Sequence, residues 1–175
     1  MILGILVLGI LLGIVFWIMS SGTKMEEEEK NAGEQGMVLD MVLKNRYQLL
    51  LKELNYLNGT GEVQADKLIE IAELLQKSTQ RVGQTTLDRN VSSSNMNKAL
   101  YQIKQIGTFT PAIKADDNYR MFASLIDENS GELQAAKVTF NDHVRGFNQM
   151  LNRIPTNIVG ELLGKVPLES FQNIK

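Results

Sequence analysis

The chain has no cysteine, a single histidine, a single tryptophan and three prolines in 175 residues. Without cysteine there can be no disulfide scaffold, no thiolate-ligated zinc or iron-sulfur site and no thiol nucleophile. With His143 alone, a two-histidine metal site is excluded as well. A surplus of positive charge is also missing, since 18 Lys and Arg face 20 Asp and Glu for a net charge of -2. Nucleic-acid binding rests on a concentrated basic surface, so no nucleic-acid partner is expected. Charge is absent altogether from Ile2 to Met19, and every Lys, Arg, Asp and Glu lies beyond it. The overall 43% hydrophobic and 22% charged residues therefore average two different objects, an apolar leader and a polar body.

The leader runs to about 18 residues, or roughly 27 Å of helix, close to the ~30 Å of a bilayer's hydrocarbon core. This predicts a transmembrane anchor over residues 1–20, with the lipid bilayer as its partner. The competing reading is a secretory signal, which needs a basic n-region, a shorter apolar core and a small-residue cleavage site. Ser20-Ser21-Gly22 could be cut, but no Lys or Arg precedes the apolar run. Trp17 stands at its downstream end, where an amphipathic ring suits a headgroup interface. The nearby cations Lys24, Lys30, Lys44 and Arg46 all follow the leader. Flanking cations set orientation, which predicts a cytoplasmic body and a short outer N-terminus. Gly9 and Gly13 form a G-x-x-x-G that would let two helices approach closely, as in a homo-oligomer. Glycine is also simply common in membrane helices, and that is the plainer reading.

Glu26 to Gly36 is acidic with two glycines, so residues 21–36 read as a solvated juxtamembrane linker. From Met37 to Leu57, Val38, Leu39, Val42, Leu43, Leu49, Leu50, Leu54 and Leu57 recur at helical spacing. Asn58-Gly59-Thr60-Gly61 ends this first amphipathic helix of the body. A second is predicted from Glu62 to about Asn90, with Leu68, Ile71, Ala72, Leu75 and Val82 on one side. Ser92-Ser93-Ser94 reads as an interruption or a set of caps. A third helix carries Met96, Ala99, Leu100, Ile103 and Ile106 and stops at Gly107. The clearest pattern comes last, where Tyr119, Phe122, Ile126, Leu133, Ala136, Phe140, Phe147, Met150 and Ile154 follow a 3-4 alternation completed by Asn129 and His143. It predicts one unbroken helix of about 36 residues, roughly 54 Å, ended by Pro155. The apolar segment after Pro155 should cap one end of the assembly. The expected fold is all-α: an N-terminal transmembrane helix followed, over 37–175, by an up-and-down antiparallel four-helix bundle.

No motif in this framework points to catalysis. Gly160 to Lys165 lacks the spacing, the following Ser or Thr and the preceding strand of a phosphate loop. Asp116-Asp117 precedes a helix, where carboxylates complement the N-terminal dipole, so capping is preferred to acid-base work. The inward Glu pair with Glu-x-x-His of a di-iron bundle is missing. His143 and Asn129 read as structural or solvent-facing, with Val144 and Leu125 beside them broadening the apolar face. Asn58-Gly59-Thr60 fits a glycosylation sequon that has no meaning in a cytoplasmic body. No cofactor and no enzymatic activity are expected.

The aromatic-Asn pairs Phe140-Asn141 and Phe147-Asn148, seven residues apart, are followed by Ile154-Pro155-Thr156-Asn157-Ile158-Val159-Gly160. Together with Leu163-Gly164-Lys165-Val166-Pro167, Phe171 and the stretch Phe109 to Tyr119, they resemble the LemA family of bacterial membrane proteins. The short N-terminal anchor is similar too, whereas the family's N-L-I-P-N-L-V segment is not found between Arg46 and Leu75. The resemblance implies a membrane-anchored, non-enzymatic helical bundle in the bacterial inner membrane, of a kind linked with magnetosome membranes and envelope stress. On physical grounds, Phe140 and Phe147 should enter the core, with Asn141 and Asn148 along its margin. There their amides would bond neighbouring helices or the turn at Pro155 to Asn157, which is preferred to a partner-binding ladder. Two functions remain: a scaffold that presents its bundle to an unidentified protein partner, or an accessory subunit of a membrane enzyme or protease.

Overall fold

The computed structural model describes residues 2–79 and 85–172. Among the described residues there are six helices and no strand: α1 (Ile2–Thr60), α2 (Ala65–Thr79), α3 (Thr86–Phe109), α4 (Pro111–Ala115), α5 (Asp117–Asn152) and α6 (Thr156–Leu162). The all-helical expectation holds. The first part of α1 is long and apolar enough to cross a membrane, with a mean hydropathy of 2.4 in an 18-residue window, none of it buried by the protein.

The expected linker over 21–36 is not a break. Helix α1 runs straight through it, and Met25, Ala32 and Gly36 are buried there at steps that lead into Leu39 and Leu43. Glu and Lys are good helix formers, and Lys30 pairs with Glu34 one turn on at 3.6 Å. The two glycines cost about 1 kcal/mol each relative to Ala. Gly36 has a packing role, because a Cβ there would stand 3.2 Å from the Arg89 guanidinium.

The second and third helices also differ from expectation. Helix α2 ends at Thr79, and Val82 of the predicted stripe lies outside the described residues. Helix α3 starts at Thr86 because Thr85 caps it: its Oγ1 accepts from the Asp88 amide at 3.1 Å and donates to the Asp88 carboxylate at 2.8 Å. Ser92, Ser93 and Ser94 are therefore neither break nor cap but buried interior residues of α3, where Ser92 Oγ donates to the Ser78 carbonyl at 2.8 Å. Helix α3 also passes Gly107, which is buried against the Tyr119 ring; a Cβ there would overlap the phenol.

Helix α5 spans 36 residues and contains Gly131 and Gly146, as the periodicity requires. Asp116 caps it by accepting from the amides of Asn118 at 2.8 Å and Tyr119 at 3.1 Å. Its last turn ends at Asn152, and Pro155 leads into α6.

The chain forms two compact units, residues 1–35 with 140–170 and residues 36–139 with 171–175. In the second, α1 contributes Leu39, Leu43, Leu50 and Leu57, α2 Leu68, Ile71 and Leu75, α3 Met96, Ala99, Ile103 and Ile106, and α5 Ile126, Leu133 and Ala136. Each buried Leu or Ile contributes about 1.5–3 kcal/mol. Side-chain contacts advance together along α1 and α3 (Asp40 with Arg89, Arg46 with Asn97). They run in opposite directions along α1 and α5 (Val42 with Asn129, Tyr56 with Phe122) and along α2 and α3 (Ser78 with Ser92, Glu70 with Gln102). In the first unit, Met25 and Ala32 of α1, Phe140, Val144 and Phe147 of α5, and Val159 and Gly160 of α6 are buried.

Candidate functional site

The aromatic-Asn pairs and the Pro155 turn fall in the first unit, and Phe171 falls in the second. Phe140 and Phe147 are buried as expected, 4% and 0% exposed, while Asn141 and Asn148 are half-buried. Seven residues make nearly two helical turns, so each pair repeats the same angle on α5. Asn148 clamps the segment after α6: its Nδ2 donates to the Leu168 carbonyl at 2.8 Å and its Oδ1 accepts from the Leu168 amide at 2.9 Å. The expected amide contacts thus exist at Asn148, but their target lies 20 residues on rather than at the Pro155 turn. That turn is held instead by Thr156, whose hydroxyl lies 2.7 Å from the Met150 carbonyl and 2.9 Å from that of Arg153. Pro155 is exposed, and Asn157 is half-buried with an Oδ1 that has no donor.

Two acidic residues from the supposed linker hold this unit together. Glu28 lies 2.9 Å from His143 Nδ1, and Glu29 lies 2.5 Å from Lys165 Nζ. The Glu29 carboxylate holds the Lys165 ammonium above its ordinary value. His143 therefore stands at the margin of the α5 stripe, with Val144 buried in its place, whereas Asn129 is inside. Asn129 Nδ2 donates to the Val42 carbonyl at 3.3 Å, and its Oδ1 is buried without a donor.

Two charged residues of the second unit escaped the sequence reading. Arg46 and Glu53 are 4% and 1% exposed. Arg46 donates to Ser130 Oγ at 3.0 Å and to Asn97 Oδ1 at 3.1 Å. Burial pulls its guanidinium below the ordinary value, and Asp127 opposes this. Glu53 has a buried Oε2 with no hydrogen-bond donor. Burial pushes its carboxyl up to about 7, against the pull of Lys104. A signal for both exists: 39, 43, 46, 50, 53 and 57 form an unbroken 4-3 alternation with Arg46 and Glu53 as members. The apolar residues suffice to mark the helix, so its charged members read as part of the polar face.

At the same end of this unit, a hydrogen bond joins Tyr56 to Asp116, raising the phenol and lowering the carboxyl relative to their ordinary values. Asp116 is thus committed to a cap and a tyrosine, and Asp117 points to solvent with an ion pair to Arg120 at 3.5 Å. Among the described residues no group of three or more His, Asp and Glu side chains could hold a metal ion. Gly9 and Gly13 lie on the exposed apolar part of α1, where no other part of the described chain comes within 4 Å of an added Cβ.

In both units these polar groups hold helices and turns in place. No curated protein matches the chain. A family model does, over residues 37–175, a range that includes the divergent stretch between Arg46 and Leu75 as well as the aromatic-Asn pairs and the Pro155 turn. The chain belongs to the LemA family.

Proposed function

We propose that this protein is a single-pass, membrane-anchored, non-enzymatic scaffold that presents an up-and-down four-helix bundle to protein partners at the cytoplasmic face of the bacterial inner membrane. The observation that carries this reading is α1 itself. One helix leaves every apolar side chain from Ile5 to Phe16 exposed, then continues without a break into a packed body. A helix hydrophobic all round is stable where lipid surrounds it, and its continuation would fix the body close to the bilayer. The cations that follow the leader favour a cytoplasmic body. A role in envelope organisation or stress response fits a protein whose polar residues serve structure.

Crosslinking in intact cells, followed by purification from membranes, tests this. A discrete partner or a second copy should be captured, and a His143→Ala variant should complement a deletion strain fully. Capture of one membrane protease or enzyme whose turnover of substrates changes on deletion would reassign the protein as an accessory subunit. A strictly monomeric, partnerless protein in both detergent and lipid would refute the scaffold. Reporter fusions after Lys175 read the orientation.

A further inference from the structure

The segment after Pro155 is apolar, yet much of it is not packed. Ile154, Ile158, Leu162 and Val166 are 85%, 53%, 71% and 71% exposed. Ile158 and Leu162 are one turn apart on α6, so they share a face, while the neighbouring positions Val159 and Gly160 are buried. The buried side is seated on α1. A Cβ at Gly22 would lie 3.6 Å from Leu163 Cδ1 and 3.8 Å from Val159 Cγ1, and one at Gly160 would lie 3.6 Å from the Met25 side chain. Gly164, at a φ of 65°, then reverses the chain, and Lys165 pairs with Glu29.

The level of this contact along α1 decides what covers the exposed face. The apolar stretch ends at Met19, so Gly22 and Met25 stand about 4.5 and 9 Å further along the helix. The headgroup layer on each side of a bilayer is roughly 5–8 Å deep. An amphipathic surface helix buries its apolar face about 5–10 Å into that layer and the outermost acyl chains. We infer that the exposed face of α6 and its flanks, formed by Ile154, Ile158, Leu162 and Val166, lies in the lipid interface beside the anchor. It forms a second, peripheral membrane contact continuous with the apolar surface of α1. This inference rests on the proposed reading of α1 as a membrane anchor.

Because the chain has no cysteine and one tryptophan, it carries its own controls. Single variants Ile158→Cys, Leu162→Cys and, as an exposed control about 22 Å beyond Met19 on α1, Glu34→Cys of the full chain are labelled with an environment-sensitive fluorophore. They are then reconstituted into vesicles of phosphatidylcholine and phosphatidylglycerol, with or without nitroxide-labelled lipid. Trp17 emission reports the anchor in the same samples. The expected result is quenching of Trp17 and of the probes at 158 and 162, most strongly by nitroxides near the headgroup, with the 34 probe unquenched by lipid nitroxides and accessible to aqueous iodide. Quenched Trp17 with water-like probes at 158 and 162 would overturn the inference and leave the anchor standing. Blue-shifted probes that lipid nitroxides do not quench would overturn it in favour of a protein cover, such as a second copy. If neither Trp17 nor the probes are quenched, the anchor reading fails and this inference with it.

Discussion

Between Ile5 and Leu12, α1 leaves Ile5, Leu6, Leu8, Ile10 and Leu12 more than half exposed, whereas between Leu39 and Leu57 the same helix buries Leu39, Leu43, Leu50 and Leu57 completely. The backbone is the same and the residues are alike, so the difference lies in what stands between them. In the later stretch Asp40, Lys44, Lys52 and other polar residues restrict the apolar set to one stripe, which the protein's own helices can cover. In the earlier stretch no polar face exists, so no single stripe is left for neighbouring helices to cover, which is the pattern the proposed anchor requires. Hydrophobicity alone therefore does not tell a core from an anchor; its angular distribution does.

Substitutions in the two environments should separate cleanly. The largest effect is expected in the packed part: Phe147→Ala removes a fully buried ring and should lower unfolding stability by about 3–5 kcal/mol. Loss of cooperative helix melting, followed by circular dichroism, reads this, while the variant stays in the membrane fraction. Ile10→Arg should do the reverse. A cation near the middle of the anchor costs about 2.5–3.5 kcal/mol of insertion, so the protein should shift toward the soluble fraction or an aggregate while the melting of its body is unchanged. An unaltered membrane fraction would show that the apolar part of α1 is not held by lipid.

A third variant sharpens the comparison within the packed part, because the 39-to-57 stripe includes a carboxyl. Glu53 has its pKa raised from 4.5 to about 7 by burial. Below pH 4.5 the proton is bound in both folded and unfolded chains, and Glu53 adds no pH dependence. Between 4.5 and about 7 the unfolded chain releases a proton that the folded chain keeps, so stability should fall as pH rises and level off above it. The change amounts to roughly 3 kcal/mol. Glu53→Gln, which cannot ionise, should flatten that part of the profile in melts taken across the range. Tyr119 on α5, which shares its field, is raised above its ordinary value by burial and stays neutral across this window.

Arg46 and Glu53 also mark where the sequence ceased to be legible. Helix α5 is legible in its length and to within two residues at each end, because its stripe is apolar at nearly every step and Asp116 sits where a cap belongs. The α1 stripe holds two charges whose partners, Ser130 and Asn97 for Arg46, lie 84 and 51 residues away. The 4-3 alternation places both charges on the buried stripe, but no local pattern names their partners, and a charged residue reads as surface by default. The acidic stretch was misread for the same reason: glycines and glutamates describe a linker locally, while Met25, Ala32 and Gly36 are helical and buried through tertiary packing. At Thr85 the signal is present, since Thr followed three residues later by Asp is a capping pattern, but an expected helix from Glu62 to about Asn90 runs through it. The aromatic-Asn pairs gave the core role of Phe140 and Phe147 correctly. They did not give the address of the Asn148 amide, which depends on how the chain returns after α6.

That return supplies the smallest and most local test. Asn148 holds Leu168 by two bonds at once, as a peptide group in a strand pair would. Asn148→Ala removes both bonds and should cost about 1–2 kcal/mol, since each half-buried backbone group loses a partner but can regain water. Asn148→Asp keeps an acceptor for the Leu168 amide but turns a carboxylate toward the Leu168 carbonyl, so it should not restore the melting temperature. Hydrogen exchange separates the two. The Leu168 amide should lose protection in the Ala variant and keep more of it in the Asp variant. An Ala variant with unchanged exchange at Leu168 would mean that the segment is held by the Lys165–Glu29 pair, making the amide of the second aromatic-Asn pair dispensable for the fold.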